Sequence, residues 1–250
     1  TVPSPLWRAP PRVLELVALS IGDEAHRLNW AGGGHMMGTM KRKMRCGGKP
    51  MTAVVLAGGR GSRMKADKAR LEVGGRTLLE HVLAQVDDRF VEVLVSISAG
   101  QKSRLPAAIR ATARFVEDEE PGLGPLGGIL YALKAAKNDA CAVVACDIPD
   151  IDLPLLRSLA RAAGEADIAV PAGPTGHYEP LFAVYRRSIV PEIEALLRAN
   201  EQSVLPLYER CRTAVVRFED SGRLRNLNTR EDYEAYLRSL GQRPGRVTRP

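Results

Sequence analysis

The sequence predicts an α/β fold, a single Rossmann-like domain in which helices cover both faces of a mostly parallel sheet. Short apolar runs alternate with segments of helical spacing between residues 51 and 240, and this alternation is typical of parallel sheets wrapped on both faces. The apolar run at residues 140–145 predicts a strand buried on both faces. A glycine-rich turn follows the first strand, at the edge where such sheets bind their ligands.

The predicted elements follow one another in order along residues 51–240. Apolar runs predict strands at residues 52–57, 71–73, 91–97, 114–116, 140–145, 168–171, 181–185 and 213–218. Periodic apolar spacing predicts helices at residues 77–86, 126–136, 155–163, 189–197 and 230–240. Thr77 and Thr229 stand where a hydroxyl would cap the first and last helices, and Pro154 suits the first turn of the third.

The net charge of +7 comes from the two ends of the chain. Residues 1–50 hold 8 lysines and arginines against 3 acidic residues, and residues 241–250 hold three arginines and no acidic residue. The intervening residues hold 25 basic and 26 acidic side chains. A nearly neutral body with 5% aromatic residues argues against a nucleic-acid-binding surface. No apolar run approaches the roughly 20 residues of a membrane helix, so no membrane span is expected.

Residues 1–50 differ in composition from the rest of the chain. Four prolines lie within the first 11 residues, and glycine clusters flank a basic run at residues 41–45. We therefore expect residues 1–50 to be a largely disordered or non-native extension, residues 51–240 to form the folded domain and residues 241–250 to form a basic tail. Docking of a partner by the basic run is the alternative for the first segment.

The four cysteines show no paired CxxC spacing, which argues against a zinc site. Cys141 and Cys146 are five positions apart in one apolar stretch, so on a strand they would point to opposite faces. These features predict reduced core thiols and a cytoplasmic protein.

The glycine-rich loop after the first strand has the sequence LAGGRGSRMKADK. Successive N–H groups of such a loop can cradle phosphate oxygens, and Arg63 and Lys68 add positive charge where a triphosphate would lie. The spacing matches neither the P-loop nor the dinucleotide-binding fingerprint. An ordinary glycine turn with solvated cations is the alternative interpretation.

Two acidic residues follow predicted strands further along the chain. Asp118 precedes the segment EEPGLGPLGG, and Asp147 ends the apolar run ACAVVAC. A carboxylate at the carboxyl edge of a sheet suits Mg²⁺, which binds through one or two carboxylates and substrate phosphates. Capping of the next turn is the alternative role for Asp147. Neighbouring polar residues are expected to be turn, cap or surface groups: Asp150, Asp152 and His177.

The loop LAGGRGSRMKADK resembles the signature of the MobA-like nucleotidyltransferases, and most closely that of the molybdenum cofactor guanylyltransferases. Four more segments resemble family segments in the same order, namely EDEEPGLGPLGG, ACDIP, EPLFAVY and NLNT followed by EDY. The pair Gly58-Gly59 and the PLF sequence favour the guanylyl branch over the related cytidylyl branch. One position departs from the pattern, because Lys65 stands where the family usually has glycine.

The resemblance implies a fold like that of the nucleotide-diphospho-sugar transferases. It implies transfer of GMP from GTP to the phosphate of molybdopterin, with release of pyrophosphate and with Mg²⁺ as cofactor. Catalytic roles are implied for Arg63, Lys68 and Asp147, and Asp147 would also bind the metal. Nucleotide- or substrate-binding roles are implied for Leu56, Ala57, Gly58, Gly59, Lys68, Ser96, Asp118, Gly124, Gly127, Asn226 and Asn228.

Other functions remain compatible with these residues. They are a molybdopterin cytidylyltransferase, guanylylation of another small phosphate, or a non-catalytic nucleotide-binding module. The expected partners are GTP and molybdopterin, with other proteins of cofactor biosynthesis or apo-molybdoenzymes as candidates. Neither nucleic acid nor a membrane is expected as a partner.

Overall fold

The computed structural model of the protein describes residues 13–16, 43–58, 71–105, 107–220 and 222–242. Its strands are β1 (Val13–Leu16), β2 (Arg45–Cys46), β3 (Lys49–Leu56), β4 (Glu72–Val73), β5 (Arg76–Thr77), β6 (Glu92–Ile97), β7 (Arg114–Glu117), β8 (Ala140–Ala145), β9 (Ile168–Ala172), β10 (Phe182–Arg186) and β11 (Thr213–Arg217). Its helices are α1 (Leu78–Val86), α2 (Ala107–Thr112), α3 (Gly124–Ala135), α4 (Leu153–Ala162), α5 (Val190–Arg198), α6 (Leu207–Arg210) and α7 (Arg230–Ser239). A search of these ranges finds no helix with the length and apolar character that a membrane span requires.

The main sheet runs in the order β1-β11-β9-β10-β8-β3-β6-β7, with β2 paired to β3 beside this path. Strand β10 runs antiparallel to β8 and β9. The other pairings along the path are parallel. The predicted mostly parallel sheet is therefore confirmed, with one antiparallel strand near its centre.

Strand β3 contributes to two apolar cores because successive strand residues point to opposite faces. Ala53 and Val55 belong to the core that α1 and α4 also line. Val54 and Leu56 belong to the core that α3 and α5 line. Helices thus cover both faces of the sheet, as the sequence predicts.

Strand β8 lies between β3 and β10, and all six of its residues are buried. Its position explains the uninterrupted apolar run, since a strand covered on both faces needs no polar side. Cys141 lies in one core and Cys146 in the other, as predicted from their spacing. All four cysteines are buried.

Both predicted threonine caps are present. Thr77 Oγ1 accepts a hydrogen bond from the N–H of Glu80 at 3.2 Å, and Glu80 Oε2 accepts one from the N–H of Thr77 at 2.8 Å. The same reciprocal box joins Thr229 and Asp232 at the start of α7. Each box satisfies N–H groups that the first turn of a helix leaves without intrahelical partners.

A third, smaller core connects α7 with the β4–β5 hairpin and α1. Its members are Leu71, Val73, Leu78, Leu227, Tyr233, Tyr236 and Leu237. The hydroxyl of Tyr233 also donates to the carbonyl oxygen of Glu72. The C-terminal helix is thereby held against the segment that follows residues 59–70.

Two strands lie within residues 1–50, where we predicted little structure. β1 pairs in parallel with β11, and β2 pairs antiparallel with the start of β3. Met44 is buried in the core beside α1 and α4, and Lys43 Nζ donates to the carbonyl oxygen of Phe90 at 2.7 Å. The fold thus includes residues upstream of Met51, whereas the division into extension, domain and tail stays a prediction.

Candidate active site

The carboxyl ends of four parallel strands share one edge of the sheet. β3, β6, β7 and β8 end at Leu56, Ile97, Glu117 and Ala145. The predicted site residues of the described ranges follow these ends or lie on elements next to them, because parallel strands bring their carboxyl ends together. The sheet therefore gathers motifs that are separated in the sequence.

Backbone hydrogen bonds hold the first residues beyond two of these strands. The N–H of Ala57 donates to the carbonyl oxygen of Ser96 at 2.8 Å, and the N–H of Asp118 donates to that of Ile97 at 3.0 Å. Both residues thus continue the sheet ladder by one position. Their orientation is set by the sheet rather than by the following loops.

Gly58 lies where the chain passes close to the loop after β6. A Cβ atom at Gly58 would lie 2.9 Å from the backbone nitrogen of Ser98 and 3.1 Å from the carbonyl carbon of Ile97. Glycine is therefore required here by the protein's own backbone. Other predicted residues of this loop lie outside the described residues: Gly59, Arg63, Lys65 and Lys68.

Asp118, Ser96 and Gly128 lie close together beside the ends of β6 and β7. A Cβ atom at Gly128 would lie 2.9 Å from Ser96 Oγ and 4.0 Å from Asp118 Oδ1. Ser96 is only 2% exposed, and its hydroxyl is buried against the backbone of Gly128. Gly128 therefore allows α3 to pack closely on the end of β6, with the Asp118 carboxyl group next to this contact.

The carboxyl group of Asp118 lacks a hydrogen-bond partner for its buried atom Oδ1 among the described residues. Burial raises the pKa of Asp118 from 3.8 to about 6. A buried acceptor without a donor is costly, and a ligand that supplies N–H groups would remove this cost. Asp118 thus has the properties of a ligand-binding carboxylate.

Two predicted glycines have conformational reasons within the chain. Gly124 has a φ of +64° at the start of α3, which favours glycine. A Cβ atom at Gly127 would collide with the side chain of Leu123 one turn earlier. These contacts explain both glycines without a ligand, and their predicted binding role stays a prediction.

Asp147 follows β8 and is half-buried. The N–H of Cys146 donates to the carbonyl oxygen of Leu56 at 3.0 Å, which extends the β8–β3 ladder up to Asp147. The N–H of Leu227 donates to the carbonyl oxygen of Asp147 at 2.8 Å. Asp147 is thus held from both sides at the carboxyl edge of the sheet.

The acidic residues after Asp147 have the structural roles that the sequence predicts. Asp152 Oδ1 accepts from the N–H of Leu155 at 2.8 Å and caps α4. Asp150 Oδ1 accepts from the hydroxyl of Tyr236 at 2.8 Å. Both carboxylates are thus occupied by contacts within the protein, unlike the predicted metal-binding role of Asp147.

Glu179 is a half-buried carboxylate near Asp147 to which the sequence analysis gave no role. Burial raises the pKa of the Glu179 carboxyl group, whereas a hydrogen bond with Asn226 and the charge of His177 oppose the increase. The negative charge of Asp147 also raises this pKa, so the two carboxylates lie near each other. His177 itself is exposed, as predicted.

The two predicted asparagines differ in their surroundings. Asn226 is half-buried beside Glu179, whereas Asn228 is exposed. The backbone N–H of Asn228 donates to Asp232 Oδ2 at 3.1 Å, next to the bond from Thr229 at 2.8 Å. Asn228 thus takes part in the α7 cap through its backbone, and substrate binding by its side chain stays a prediction.

The donor set near Asp147 fits a magnesium ion better than zinc. No group of three or more His, Cys, Asp or Glu side chains within the described ranges could hold a metal. Asp147, with Glu179 near it, would match the one or two carboxylates that Mg²⁺ uses together with substrate phosphates and water. Zinc would require a fuller set of protein ligands.

Gly58, Asp118 and Asp147 lie at the carboxyl edge of a mostly parallel sheet, which is where open α/β proteins bind their ligands. The model of the MobA-like NTP transferase domain matches residues 53–214, and the chain belongs to this family. It is therefore a nucleotidyltransferase, as predicted from its motifs.

Named relatives share most of their length with this chain. A probable molybdenum cofactor guanylyltransferase of Pelotomaculum thermopropionicum is 36% identical over 204 residues, which are 78% of this chain and 97% of that protein. The molybdenum cofactor guanylyltransferase of Vibrio campbellii is 32% identical, and the match covers 72% of this chain and 91% of that protein. Both names agree with the guanylyl branch that the sequence predicts.

A solved structure has the same fold. The molybdopterin-guanine dinucleotide biosynthesis protein A of Archaeoglobus fulgidus is 25% identical, with a TM-score of 0.64. The likeness covers 76% of this chain and 98% of that one. The predicted fold, like that of the nucleotide-diphospho-sugar transferases, is confirmed.

Proposed function

We propose that this chain transfers GMP from GTP to the phosphate of molybdopterin and forms a guanine dinucleotide. A phosphate oxygen of molybdopterin would bond to the α-phosphorus of GTP while the bond to the β-phosphate oxygen breaks, and pyrophosphate would leave. The names of the relatives support this reaction. The structural observation that supports the choice of guanine is the Asp118 oxygen that has no donor among the described residues.

Guanine matches the Asp118 carboxylate better than cytosine does. The pairing edge of guanine presents N1–H and an amino group side by side, and a carboxylate can accept from both donors. Cytosine has an amino group but only acceptors next to it. The Asp118 oxygen that has no donor among the described residues therefore favours guanine.

Catalysis by this site would rest on positioning and charge. The attacking phosphate is already an anion, so no general base is required, and the main obstacle is repulsion between anionic groups. We assign Arg63 and Lys68, together with N–H groups of residues 56–59, to the phosphates of GTP. We assign Asp147 to Mg²⁺, which when bound would neutralise phosphate charge.

The remaining assignments are the binding site of molybdopterin, the cellular compartment and the protein partners. We place molybdopterin beside Asn226 and Asn228, because this segment contacts Asp147 through Leu227. The four buried cysteines favour a reducing compartment such as the cytoplasm. Proteins of cofactor biosynthesis or apo-molybdoenzymes are the partners that would supply the pterin or receive the product.

Pyrophosphate release by the full chain with molybdopterin and Mg²⁺ tests the proposal, with GTP, CTP and ATP compared. We expect release with GTP alone. Release with CTP alone would assign the chain to cytidylyl transfer, and release with another phosphate in place of molybdopterin would change the acceptor. No release with any of these nucleotides would contradict the proposal.

A further inference from the structure

The hydrogen-bond ladder between β3 and β6 changes its form just beyond the ends of the two strands. Leu56 lies opposite Ser96 in the parallel register, and the N–H of Ala57 donates to the carbonyl oxygen of Ser96 at 2.8 Å. In a parallel ladder each such residue bonds to the residues on either side of its partner. The next bond of a regular ladder would therefore join the N–H of Ser98 to the carbonyl oxygen of Ala57.

The side-chain amide of Gln101 takes the place of that bond. Its Oε1 accepts from the N–H of Ser98 at 3.1 Å, and its Nε2 donates to the carbonyl oxygen of Ala57 at 3.2 Å. A side-chain amide can do this because, like a peptide group, it has both a donor and an acceptor. The two backbone groups are thus bridged through Gln101 at the point where the strands separate.

A tight turn holds Gln101 in this position. The N–H of Gln101 donates to the carbonyl oxygen of Ser98 at 3.0 Å, and Gly100 at the third position of the turn has a φ of +71°, which suits glycine. The N–H of Lys102 donates to Glu117 Oε1 at 3.1 Å, which connects the turn to the end of β7. Gln101 is partly buried, so its amide is fixed from both sides.

These bonds fix the peptide plane between Ala57 and Gly58. Ala57 is held through its N–H by Ser96 and through its carbonyl oxygen by Gln101. The following peptide bond is trans, so the N–H of Gly58 points in the direction opposite to the Ala57 carbonyl group. Since β3 lies between β6 and β8, this N–H is directed away from β6 and toward the side of β8, which Asp147 follows.

We infer that Gln101 is a positioning residue that orients the N–H of Gly58 toward the phosphates of GTP. This inference rests on the proposed function, in which N–H groups of residues 56–59 bind these phosphates. A donor that is already oriented stabilises an anion without reorganisation when the anion binds. Gln101 acts through Ala57 and contacts neither substrate, and binding of molybdopterin does not depend on it.

The variant Gln101→Glu tests this role because its effect should depend on protonation. A protonated carboxyl group can donate to Ala57 and accept from Ser98 as the amide does, whereas a carboxylate only accepts and would repel the Ala57 carbonyl oxygen. Relative to the wild type at the same pH, we expect KM for GTP to be raised about tenfold at about pH 8 and less than about threefold at about pH 5. The values of kcat and of KM for molybdopterin should change by less than about twofold.

Gln101→Ala removes both hydrogen bonds and should raise KM for GTP about tenfold at either pH. Ser103→Ala is the control within the same loop, because the Ser103 hydroxyl donates to the carbonyl oxygen of Gly100 at 3.1 Å rather than to Ala57. It should retain the wild-type KM for GTP. A general loss of loop stability would instead affect Ser103→Ala as well and would lower the unfolding temperature without a selective change in one KM.

Gln242→Glu is the control for the introduced charge. Gln242 Oε1 accepts from the N–H of Gly74 at 2.9 Å, and a carboxylate retains this bond at every pH. We expect its KM for GTP, relative to the wild type, to be the same at both pH values. A ratio for Gln101→Glu that likewise does not change with pH would overturn the inference.

The Kd for GTP, measured by calorimetry without an acceptor, lets the two proposals fail separately. The same Kd in the wild type and in Gln101→Ala would overturn the role of Gln101, whichever acceptor the chain uses. A weaker Kd in Gln101→Ala, together with a wild type that binds GTP but releases no pyrophosphate with molybdopterin, would support that role and overturn the proposed function alone.

Discussion

The backbone N–H of Leu227 donates a hydrogen bond to the carbonyl oxygen of Asp147 at 2.8 Å. Leu227 stands between Asn226 and Asn228, and its side chain is fully buried in the third core with α7. One residue therefore joins the proposed metal ligand, the proposed acceptor-binding asparagines and the C-terminal helix. The position of the asparagines relative to Asp147 depends on this packing.

Replacing Leu227 should therefore reduce activity more than its loss of stability explains. We expect Leu227→Ala to lower the free energy of unfolding by about 2–5 kcal/mol through the cavity that it creates. We also expect kcat/KM for molybdopterin to decrease at temperatures where the variant is fully folded. Chemical denaturation and steady-state kinetics measure the two effects.

Leu196→Ala is the control for Leu227→Ala, since Leu196 is equally buried on α5 in the core away from α7. It should lose a similar free energy of unfolding and retain the wild-type kcat/KM. Equal losses of activity in both variants would show that the Leu227–Asp147 connection has no special role.

Replacing Gly58 should affect both the stability of the protein and the binding of GTP. In Gly58→Ala the new Cβ would lie 2.9 Å from the backbone nitrogen of Ser98, so one of the two backbones must move. We expect a loss of about 1–3 kcal/mol in unfolding free energy and a higher KM for GTP. In the control Gly173→Ala the nearest atom is 3.5 Å away on the Phe218 ring, and the loss should stay below about 1 kcal/mol. Equal stability of the two variants would contradict the argument.

The sequence predicts most of this fold because its strongest signals are local. The run at residues 140–145 becomes a strand with the predicted bounds, since a fully buried strand needs only apolar residues. Thr77 and Thr229 become caps because the capping box is complete within four residues. The antiparallel direction of β10 is not predictable in this way, since an apolar run has no direction.

Site residues can be predicted from the sequence only where a single residue stands in a telling position, such as an acidic residue directly after a strand. Asp118 and Asp147 are candidates from the sequence because each follows a predicted strand, and the sheet places both at the same edge. Glu179 has no such signal, because its proximity to Asp147 depends on how β8 and the segment before β10 lie next to each other in the fold. The short elements β2, β5 and α6 are also missed, since they depend on pairing and packing with distant segments.

Asp118 predicts a pH dependence of nucleotide binding. Its pKa of about 6 in the ligand-free protein results from burial, and only the ionised carboxylate can accept from both donors of guanine. Below this pKa the group must release its proton before GTP binds. We therefore expect the Kd for GTP to be about tenfold higher at about pH 5 than at about pH 7. Calorimetry at pH 5 in buffers of different ionisation enthalpy would detect the released proton.

Asp118→Asn is the control for this pH dependence, because an amide does not titrate and guanine's N1–H would face a mixed donor and acceptor. It should bind GTP about 10- to 100-fold more weakly at pH 7 and lose the proton release, which separates Asp118 from the titrating phosphates of GTP. Glu119→Gln, at the exposed neighbour, should behave like the wild type. A proton release that persists in Asp118→Asn would assign the titration to another group.

Substitutions of Asp147 and Lys68 should stop the reaction, whereas substitutions at the opposite edge of the sheet should not. Asp147 follows the carboxyl end of β8, where the proposed Mg²⁺ and phosphates would lie, and Lys68 comes after β3 in the sequence. We expect Asp147→Ala and Lys68→Ala each to abolish pyrophosphate release, because the anionic groups would lose the charges that offset their repulsion. Asp139 and Lys49 are exposed residues at the opposite ends of the same two strands, and Asp139→Ala and Lys49→Ala should retain turnover. Thermal unfolding of all four variants would establish that they are folded, and turnover near the wild-type rate in Asp147→Ala or Lys68→Ala would remove that residue from the active site.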